Sequence, residues 1–216
     1  MFQTARTEIS ARLLVNRQVL ALVRTFERSK SLEAAACKGL AFVHLYGIYE
    51  YAVHSAVQAL LAAIRADNLC PRDLHHNSLT LVLNPAFSSA SSAGRSRAWK
   101  QRLELVASLE SIIPLQSLDD TLFPSDGSNY RVAQLETIWS VFGITVPVVP
   151  EPRLVGRIEE LVENRNAIAH GRRTPEEVGG RYSTAEIEKT ADDIEKIGSY
   201  FVTELERHYN AGGVRR

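Results

Sequence analysis

The stretch LVENRNAIAHG, residues 161–171, closes a strong helical pattern that starts near residue 153. Apolar residues recur in it every three or four positions, which is typical of a helix with one buried face. They are Leu154, Val155, Ile158, Leu161, Val162, Ile168 and Ala169. Gly171 follows as the expected cap, so the pattern predicts a helix over 153–170. One position in its apolar row carries a guanidinium, and that position is Arg165.

The same period of 3.6 residues dominates the rest of the chain and predicts an all-α protein. The other long predicted helices cover 5–28, 32–67, 97–112, 130–142 and 184–209. The second of them is apolar on two faces, so we expect it at the centre of a bundle, with a break or bend near Gly39 or Gly47. Shorter signals predict a strand or extended segment at LTLVLN, residues 79–84, and a flexible connection at FSSASSAGRS, residues 87–96.

The composition excludes several classes of protein. Lys+Arg and Asp+Glu are both 25, so no overall field indicates nucleic acid, a membrane or an acidic partner. Cys37 and Cys70 have neither metal-ligand nor redox spacing, which fits a reducing compartment. The N-terminal MFQTARTEIS lacks the apolar core of a signal peptide, and residues 40–64 hold too many polar groups for a membrane span. We therefore expect a cytoplasmic protein with no membrane segment.

No linker divides the sequence convincingly. We expect one domain over residues 1–216, with a loop-rich insertion at about 70–130. His75 and His76 fall in that insertion without accompanying ligands, so no metal site is predicted there.

Arg165 implies a nearby anion, because an unpaired buried charge costs roughly several kcal/mol. One candidate is a carboxylate of the protein. Glu50 lies one heptad from Val43 and Val57 in an apolar row of the second helix, so pairing it with Arg165 would satisfy both charges. The other candidate is a phosphate of a ligand, which the planar guanidinium matches well. Arg165 is a structural residue in the first case and marks a binding site in the second.

Asn166 and His170 lie four positions apart, so both fall on the last turns of the predicted helix beside Arg165. A histidine exchanges a proton near neutral pH, and an asparagine orients a phosphate or a sugar hydroxyl. Metal-free cleavage of a phosphodiester needs both a base and an acid, so one histidine per chain is one group short. A symmetric dimer would supply the second. The plain alternative is that His170 is only the last residue of a helix.

RNAIAH, residues 165–170, resembles the Arg-x4-His motif of HEPN ribonucleases, in which a polar residue usually follows the arginine. LVENRNAIAHG resembles the motif helix of bacterial HEPN nucleases of the RiboL-PSP type. GLAFVHLYGIYEYAVHSAVQALL, residues 39–61, resembles the early helix of that group, with Glu50 after two tyrosines. LETIWSVFGI, residues 135–144, resembles the segment before the motif helix.

This resemblance implies an antiparallel helical bundle that forms a homodimer, with two motifs facing one cleft. Such enzymes cut RNA without a metal or other cofactor, commonly leave a 2′,3′-cyclic phosphate, and often serve as toxins of toxin–antitoxin pairs or in phage defence. Arg165 would bind the scissile phosphate, Asn166 would position it and His170 would move the proton, with Glu50 holding Arg165. Some HEPN toxins carry a tyrosine two residues after the histidine, which a partner modifies. Arg172 stands there instead, so silencing of that kind is excluded.

Two basic clusters are candidates for RNA binding. Arg172 and Arg173 directly follow the motif. RSRAWKQR, residues 95–102, combines Trp99 with basic residues and no acid, which fits phosphate contacts and base stacking. Its basic residues are Arg95, Arg97, Lys100 and Arg102. The alternative for this segment is a solvated helix face whose tryptophan packs inward.

The sequence therefore predicts a metal-independent HEPN endoribonuclease. The alternative from another class is a non-catalytic HEPN module that binds a nucleotide or a partner protein and uses Arg165 only in an ion pair. A second alternative is a nuclease that stays silent until an antitoxin or another regulatory protein leaves, or a phage component binds.

Overall fold

The computed structural model describes residues 2–26, 31–113, 115, 118 and 129–216. The regular secondary structure of these residues consists of helices, with no β-strand among them, so the prediction of an all-α fold is confirmed. The α-helices are α1 (Phe2–Phe26), α2 (Leu32–Ala66), α3 (Leu79–Ser92), α4 (Ala98–Leu109), α5 (Val132–Phe142), α6 (Arg153–Ala169), α7 (Pro175–Gly179) and α8 (Thr184–Asn210). A 3-10 turn, Pro71–Asp73, follows α2. Among the described residues, no helix is long and apolar enough to cross a membrane.

The bundle is built around α2, which packs against α1, α6, α7 and α8. Both of its predicted apolar faces are buried, as Leu45, Val57 and Leu60 illustrate. Ser31 begins the helix by accepting a hydrogen bond from the Ala34 N–H at 3.2 Å. Because α2 is covered on several sides, its aromatic residues reach the motif helix α6 from inside the bundle.

α2 is continuous through Gly39 and Gly47, so it has no break at the two expected positions. Gly39 serves a close approach instead, because a β-carbon there would lie 2.1 Å from the Pro175 carbonyl oxygen. A β-carbon on Gly179 would lie 2.0 Å from the Ala35 carbonyl oxygen. These two glycines let α7, the first helix after the motif, pack directly on α2.

α6 presents the motif at its C-terminal end. Its fully buried side chains are Leu154, Ile158, Leu161 and Val162. The predicted cap is confirmed at Gly171, whose φ of 65° lies in the left-handed region that favours glycine. The Gly171 N–H donates to the Ile168 carbonyl at 3.0 Å, which leaves His170 as the C-cap residue at the tip of the helix.

Two capping boxes turn the chain back after the motif. Thr174 accepts from the Glu177 N–H at 3.3 Å, and the Glu177 carboxylate accepts from the Thr174 N–H at 2.8 Å. Ser183 and Glu186 form the same reciprocal pair before α8. Because these signals are local, the sequence predicts both helix starts correctly.

The strand or extended segment predicted for residues 79–84 is wrong, because these residues form the first turns of α3. Leu79, Leu81 and Leu83 alternate in the sequence, as on one face of a strand, and all three are buried. In a helix these positions are spread around the axis, so the start of α3 is buried on more than one side. α3 continues to Ser92, so most of the flexible connection expected from residue 87 is helical too. Residues 114, 116, 117 and 119–128 of the predicted insertion lie outside the described residues.

Candidate functional site

Arg165 is half-buried on α6 and is held by neutral groups. Its Nη1 donates to the Asn166 Oδ1 at 2.9 Å and to the Asn129 Oδ1 at a longer 3.4 Å. The guanidinium carbon lies 4.8 Å from the centre of the Tyr46 ring, which is a cation–π distance. Amide oxygens and an aromatic ring orient a cation without neutralising it. The positive charge of Arg165 therefore remains available to an anion.

The direct ion pair expected between Glu50 and Arg165 is not formed. Tyr46 links the two residues instead: Arg165 lies over its ring, and its hydroxyl donates to the Glu50 Oε1 at 3.4 Å. Tyr46 and Glu50 are one turn apart on α2, so both face the same region. A sequence pattern shows which residues share a helix face, but it does not show which of them reaches the neighbouring helix first. Within the described residues, Arg165 has no carboxylate partner.

The hydroxyl of Tyr46 stays protonated at neutral pH. Burial raises the pKa of Tyr46 to about 12, and the negative charge of Glu50 acts in the same direction. The positive charge of Arg165 and a backbone hydrogen bond at Tyr130 oppose this rise. Tyr46 therefore presents an uncharged ring to Arg165 and a hydrogen-bond donor to Glu50.

Asn129 approaches Arg165 because the next residue is anchored to α2. The Tyr49 hydroxyl donates to the Tyr130 carbonyl oxygen at 2.9 Å, and both tyrosines are buried. Sequence reasoning missed the contacts of Asn129 and Tyr46 with Arg165. Asn129 belongs to a loop without periodicity, and the only sequence signal for Tyr46 is its position one helical turn before Glu50.

Asn166 is only 7% exposed, and its side-chain oxygen is directed at Arg165. Adjacent helix positions do not normally face each other, so this contact depends on the length of the Arg165 side chain. Asn166 therefore orients the guanidinium, whichever anion Arg165 binds.

His170 lies one turn after Asn166, at the exposed tip of α6. Its backbone N–H donates to the Asn166 carbonyl at 3.1 Å. Within the part of the chain that the structure describes, no hydrogen bond or ion pair engages the His170 ring. Both ring nitrogens are therefore accessible to a ligand. The structure thus brings Arg165, Asn166 and His170 together on the last two turns of one helix.

The two arginines after the motif differ in their surroundings. Arg172 Nη1 lies 3.0 Å from Glu163 Oε1, and both side chains are more than half exposed, so this pair is weak and solvated. Arg173 is exposed, and its side chain has no ion-pair partner among the described residues. Its backbone N–H donates to the Ala167 carbonyl at 3.0 Å, which fixes the chain at this point. Arg173 is therefore the freer of the two cations beside His170.

The other basic cluster lies apart from the motif. Its basic residues, Arg95, Arg97, Lys100 and Arg102, are all exposed. α4 packs on α3 and on the 3-10 turn that follows α2. The end of α2 at Ala66 is about 30 Å from Tyr46 along the helix axis, at 1.5 Å per residue. The alternative in which Trp99 packs inward is wrong, since 71% of this residue is exposed.

The described residues contain no group of three or more His, Cys, Asp or Glu placed to hold a metal ion. The rings of His75 and His76 stack with their centres 4.1 Å apart, and Cys37 and Cys70 are free thiols. The groups that the motif itself offers are a fixed positive charge, an amide and an imidazole.

A comparison with protein families matches the chain to one family model, described as RiboL-PSP-HEPN, over residues 15–207. The matched range begins within α1 and ends within α8, so it includes the whole of α2 and α6. Searches of curated proteins and of solved structures give no match.

Proposed function

The chain belongs to the RiboL-PSP-HEPN family, and from this premise we propose that it is a metal-independent endoribonuclease with its active site at a homodimer cleft. The observation that carries the proposal is that the Arg165 side chain is held in place but is not neutralised. Its guanidinium is oriented by Asn166 and Tyr46, yet no carboxylate of the described residues pairs with it. An oriented and unneutralised guanidinium, one turn from a free imidazole, suits a phosphodiester.

In the proposed reaction the RNA supplies its own nucleophile. The 2′-hydroxyl oxygen forms a bond to phosphorus, and the bond from phosphorus to the 5′-oxygen breaks. The His170 ring of one protomer takes the proton of the 2′-hydroxyl, and the protonated ring of the partner subunit's His170 gives a proton to the leaving 5′-oxygen. The products are a 2′,3′-cyclic phosphate and a 5′-hydroxyl.

Arg165 acts on the phosphoryl group in this reaction. Its guanidinium binds the non-bridging oxygens, whose negative charge grows in the transition state. Asn166, Asn129 and Tyr46 hold it in place, so little reorganisation is needed when the charge develops. Glu50 contributes through Tyr46, by accepting the tyrosine hydroxyl. Arg173, beside the motif, is the first proposed contact for the flanking phosphates, and Arg172 joins it when RNA displaces Glu163.

The dimer is part of the proposal because the reaction needs two proton-transfer groups. One chain places one histidine at the motif, and His170 lies at an exposed helix tip where a second copy can approach. A two-fold axis beside this tip would bring two Arg165–His170 pairs around one phosphate.

The alternative hypothesis is a non-catalytic binding module, in which Arg165 serves only as a member of an ion pair. The contacts of Arg165 do not favour it, because Glu50 bonds to Tyr46 and not to the guanidinium.

The mechanism is tested with an RNA oligonucleotide and the same oligonucleotide carrying one 2′-deoxy nucleotide at the mapped cleavage site. We expect the RNA to yield fragments ending in 2′,3′-cyclic phosphate, and the 2′-deoxy position to resist cleavage while other positions are still cut. Cleavage at the deoxy position would contradict attack by the 2′-hydroxyl.

We propose a cytoplasmic role as a toxin or a phage-defence effector, with RNA of the host or the phage as substrate; membership of the family supports this role. Induced expression of the wild type should arrest bacterial growth, and expression of His170→Ala at the same level should not. Equal growth arrest by both proteins would contradict a toxin that acts by RNA cleavage.

A further inference from the structure

The positive charge of α4 and its preceding turn is not neutralised by the protein. Elsewhere in the described bundle, arginines such as Arg17, Arg131 and Arg157 are held by carboxylates of neighbouring helices. Over residues 95–102, the only ion pair between described residues is a loose one, with 3.8 Å between Lys100 Nζ and Glu104 Oε1. In a chain with equal numbers of acidic and basic residues, this segment is therefore a local cation-rich surface.

Trp99 is the second unusual feature of this surface. The residue is 71% exposed, whereas Trp139 is only 4% exposed. The guanidinium carbon of Arg102 lies 5.2 Å from the Trp99 ring, so a cation stands beside the indole. α4 buries none of its residues, which means that the helix does not need this face for packing. An exposed indole beside arginines suits a flat, anionic ligand.

We infer that residues 95–102 form a binding surface for single-stranded RNA, separate from the motif. Trp99 stacks on a base, and the side chains of Arg95, Arg97, Lys100 and Arg102 contact phosphates. The inference rests on the proposed function in one respect: it takes RNA to be the ligand of this protein. It adds a second contact region, which holds the substrate away from the scissile phosphate.

An acidic protein partner is the competing ligand, since Leu103 and Val106 continue the exposed face with 68% and 58% exposure. A protein interface would depend on these two aliphatic side chains. The cations instead precede them, in the turn before α4 and its first two turns, around the indole. Because charge and aromatic ring coincide there, the observations favour RNA, and the aliphatic pair becomes the test of the alternative.

The test uses the full chain carrying His170→Ala, so that the RNA stays intact, and a 20-nucleotide polyuridine as the probe. Tryptophan fluorescence is a direct readout because Trp99 is exposed and Trp139 is buried. We expect polyuridine to quench the exposed tryptophan. Replacing Arg95, Arg97 and Arg102 by Gln should weaken binding at least tenfold at low salt. It should also reduce the slope of log K against log salt by about 2, at about 0.7 per phosphate contact.

Trp99→Leu should weaken binding about tenfold, measured by anisotropy of labelled polyuridine, because stacking on one base is lost. Arg24→Gln is the matched control: Arg24 is also exposed but is paired with Glu188, so its loss should leave the affinity unchanged. Circular dichroism checks that each variant keeps its helices.

Two results would overturn the inference. One is polyuridine affinity that is unchanged by the Trp99 and arginine substitutions. The other is affinity that falls with Leu103→Ser and Val106→Ser but not with the arginine substitutions, which would show that the cations around Trp99 do not bind the RNA. The experiments also distinguish a failure of this inference from a failure of the proposed nuclease function. Binding at α4 without cleavage by the wild type would contradict the nuclease alone, and cleavage without binding at α4 would contradict this surface alone.

Discussion

The guanidinium of Arg165 lies over the ring of Tyr46, 4.8 Å from the ring centre, and this contact takes the place of an ion pair. Tyr46 in turn donates its hydroxyl to Glu50. The cation is thus oriented from α2 without losing its charge. If the site binds a phosphate, this arrangement supplies the charge already in position, because the ligand does not have to displace a carboxylate.

Substitutions of Tyr46 separate the role of its ring from that of its hydroxyl. Tyr46→Phe keeps the ring and should lower kcat/KM for RNA cleavage less than about fivefold. Tyr46→Leu removes the cation–π contact, which is worth roughly 0.5–2 kcal/mol, so kcat/KM should fall by up to about thirtyfold. The free energy of unfolding of both variants, measured in urea, shows how much of the lost activity comes from lost packing of this buried residue. Equal losses for the two variants would contradict the role of the ring.

Arg165→Ala should abolish cleavage while lowering the free energy of unfolding by no more than about 2 kcal/mol, the upper value for the lost cation–π contact. The reason is that no carboxylate is left stranded, whereas breaking a buried ion pair costs about 3–5 kcal/mol. Glu50→Gln should lower the free energy of unfolding by a similarly small amount. Asp193→Asn provides the contrast, since this buried carboxylate accepts from Arg153 and Arg157 and its loss should destabilise the protein clearly more. A large loss for Arg165→Ala in urea unfolding would restore the ion-pair interpretation.

Gly39 and Gly47 make a matched pair on α2. Gly39→Ala places a β-carbon 2.1 Å from the Pro175 carbonyl oxygen, so α7 must shift, and we expect a loss of about 2 kcal/mol. Gly47→Ala meets nothing within 4 Å and should stabilise the helix by up to about 1 kcal/mol. Chemical denaturation measures the change in the free energy of unfolding for both variants. Destabilisation of the same size at both positions would show that the close approach of α7 is not the cause.

The protein should become less stable in mild acid because the ring of His208 is buried. Burial lowers its pKa from the ordinary 6.5, and the charges of Arg207 and His75 add to this, while hydrogen bonds to the backbone of Phe142 and Gly213 oppose it. Its Nε2 is buried and has no hydrogen-bond partner among the described residues.

The sign of the effect follows from the lowered pKa. The unfolded chain takes up a proton at His208 near pH 6.5, before the folded chain does. The stability contribution of the neutral ring is complete above that pH and is lost as the pH falls towards the lower folded pKa. Urea unfolding between pH 7.5 and pH 5 should show this decline, and His208→Asn should reduce its slope. An unchanged slope in the variant would assign the decline to other groups.

Local signals explain which features the sequence predicts well. The helix α6, its glycine cap and the boxes at Thr174 and Ser183 depend on residues within one or two turns, so they can be found without the fold. The closeness of Arg165, Asn166 and His170 is predicted in the same way, because they lie on consecutive turns of that helix; their roles in a reaction stay predictions.

Features that depend on how helices meet could not be predicted. Alternation at Leu79–Asn84 indicated a strand, but the segment is helical, and its leucines are buried on more than one side of the helix. Glu50 and Arg165 both interrupt apolar rows, yet Tyr46 reaches the guanidinium instead. Asn129 comes from a loop whose position is set by Tyr49 holding the next carbonyl, a contact between residues 81 positions apart.

The most direct test of the central claim is a cleavage assay on total tRNA and on a long single-stranded RNA, in EDTA, with wild type and His170→Ala. Both proteins are first shown to be folded and dimeric, by circular dichroism and light scattering. We expect fragments ending in 2′,3′-cyclic phosphate from the wild type and none from His170→Ala. Equal cleavage by the two proteins, or intact RNA with both, would contradict this claim.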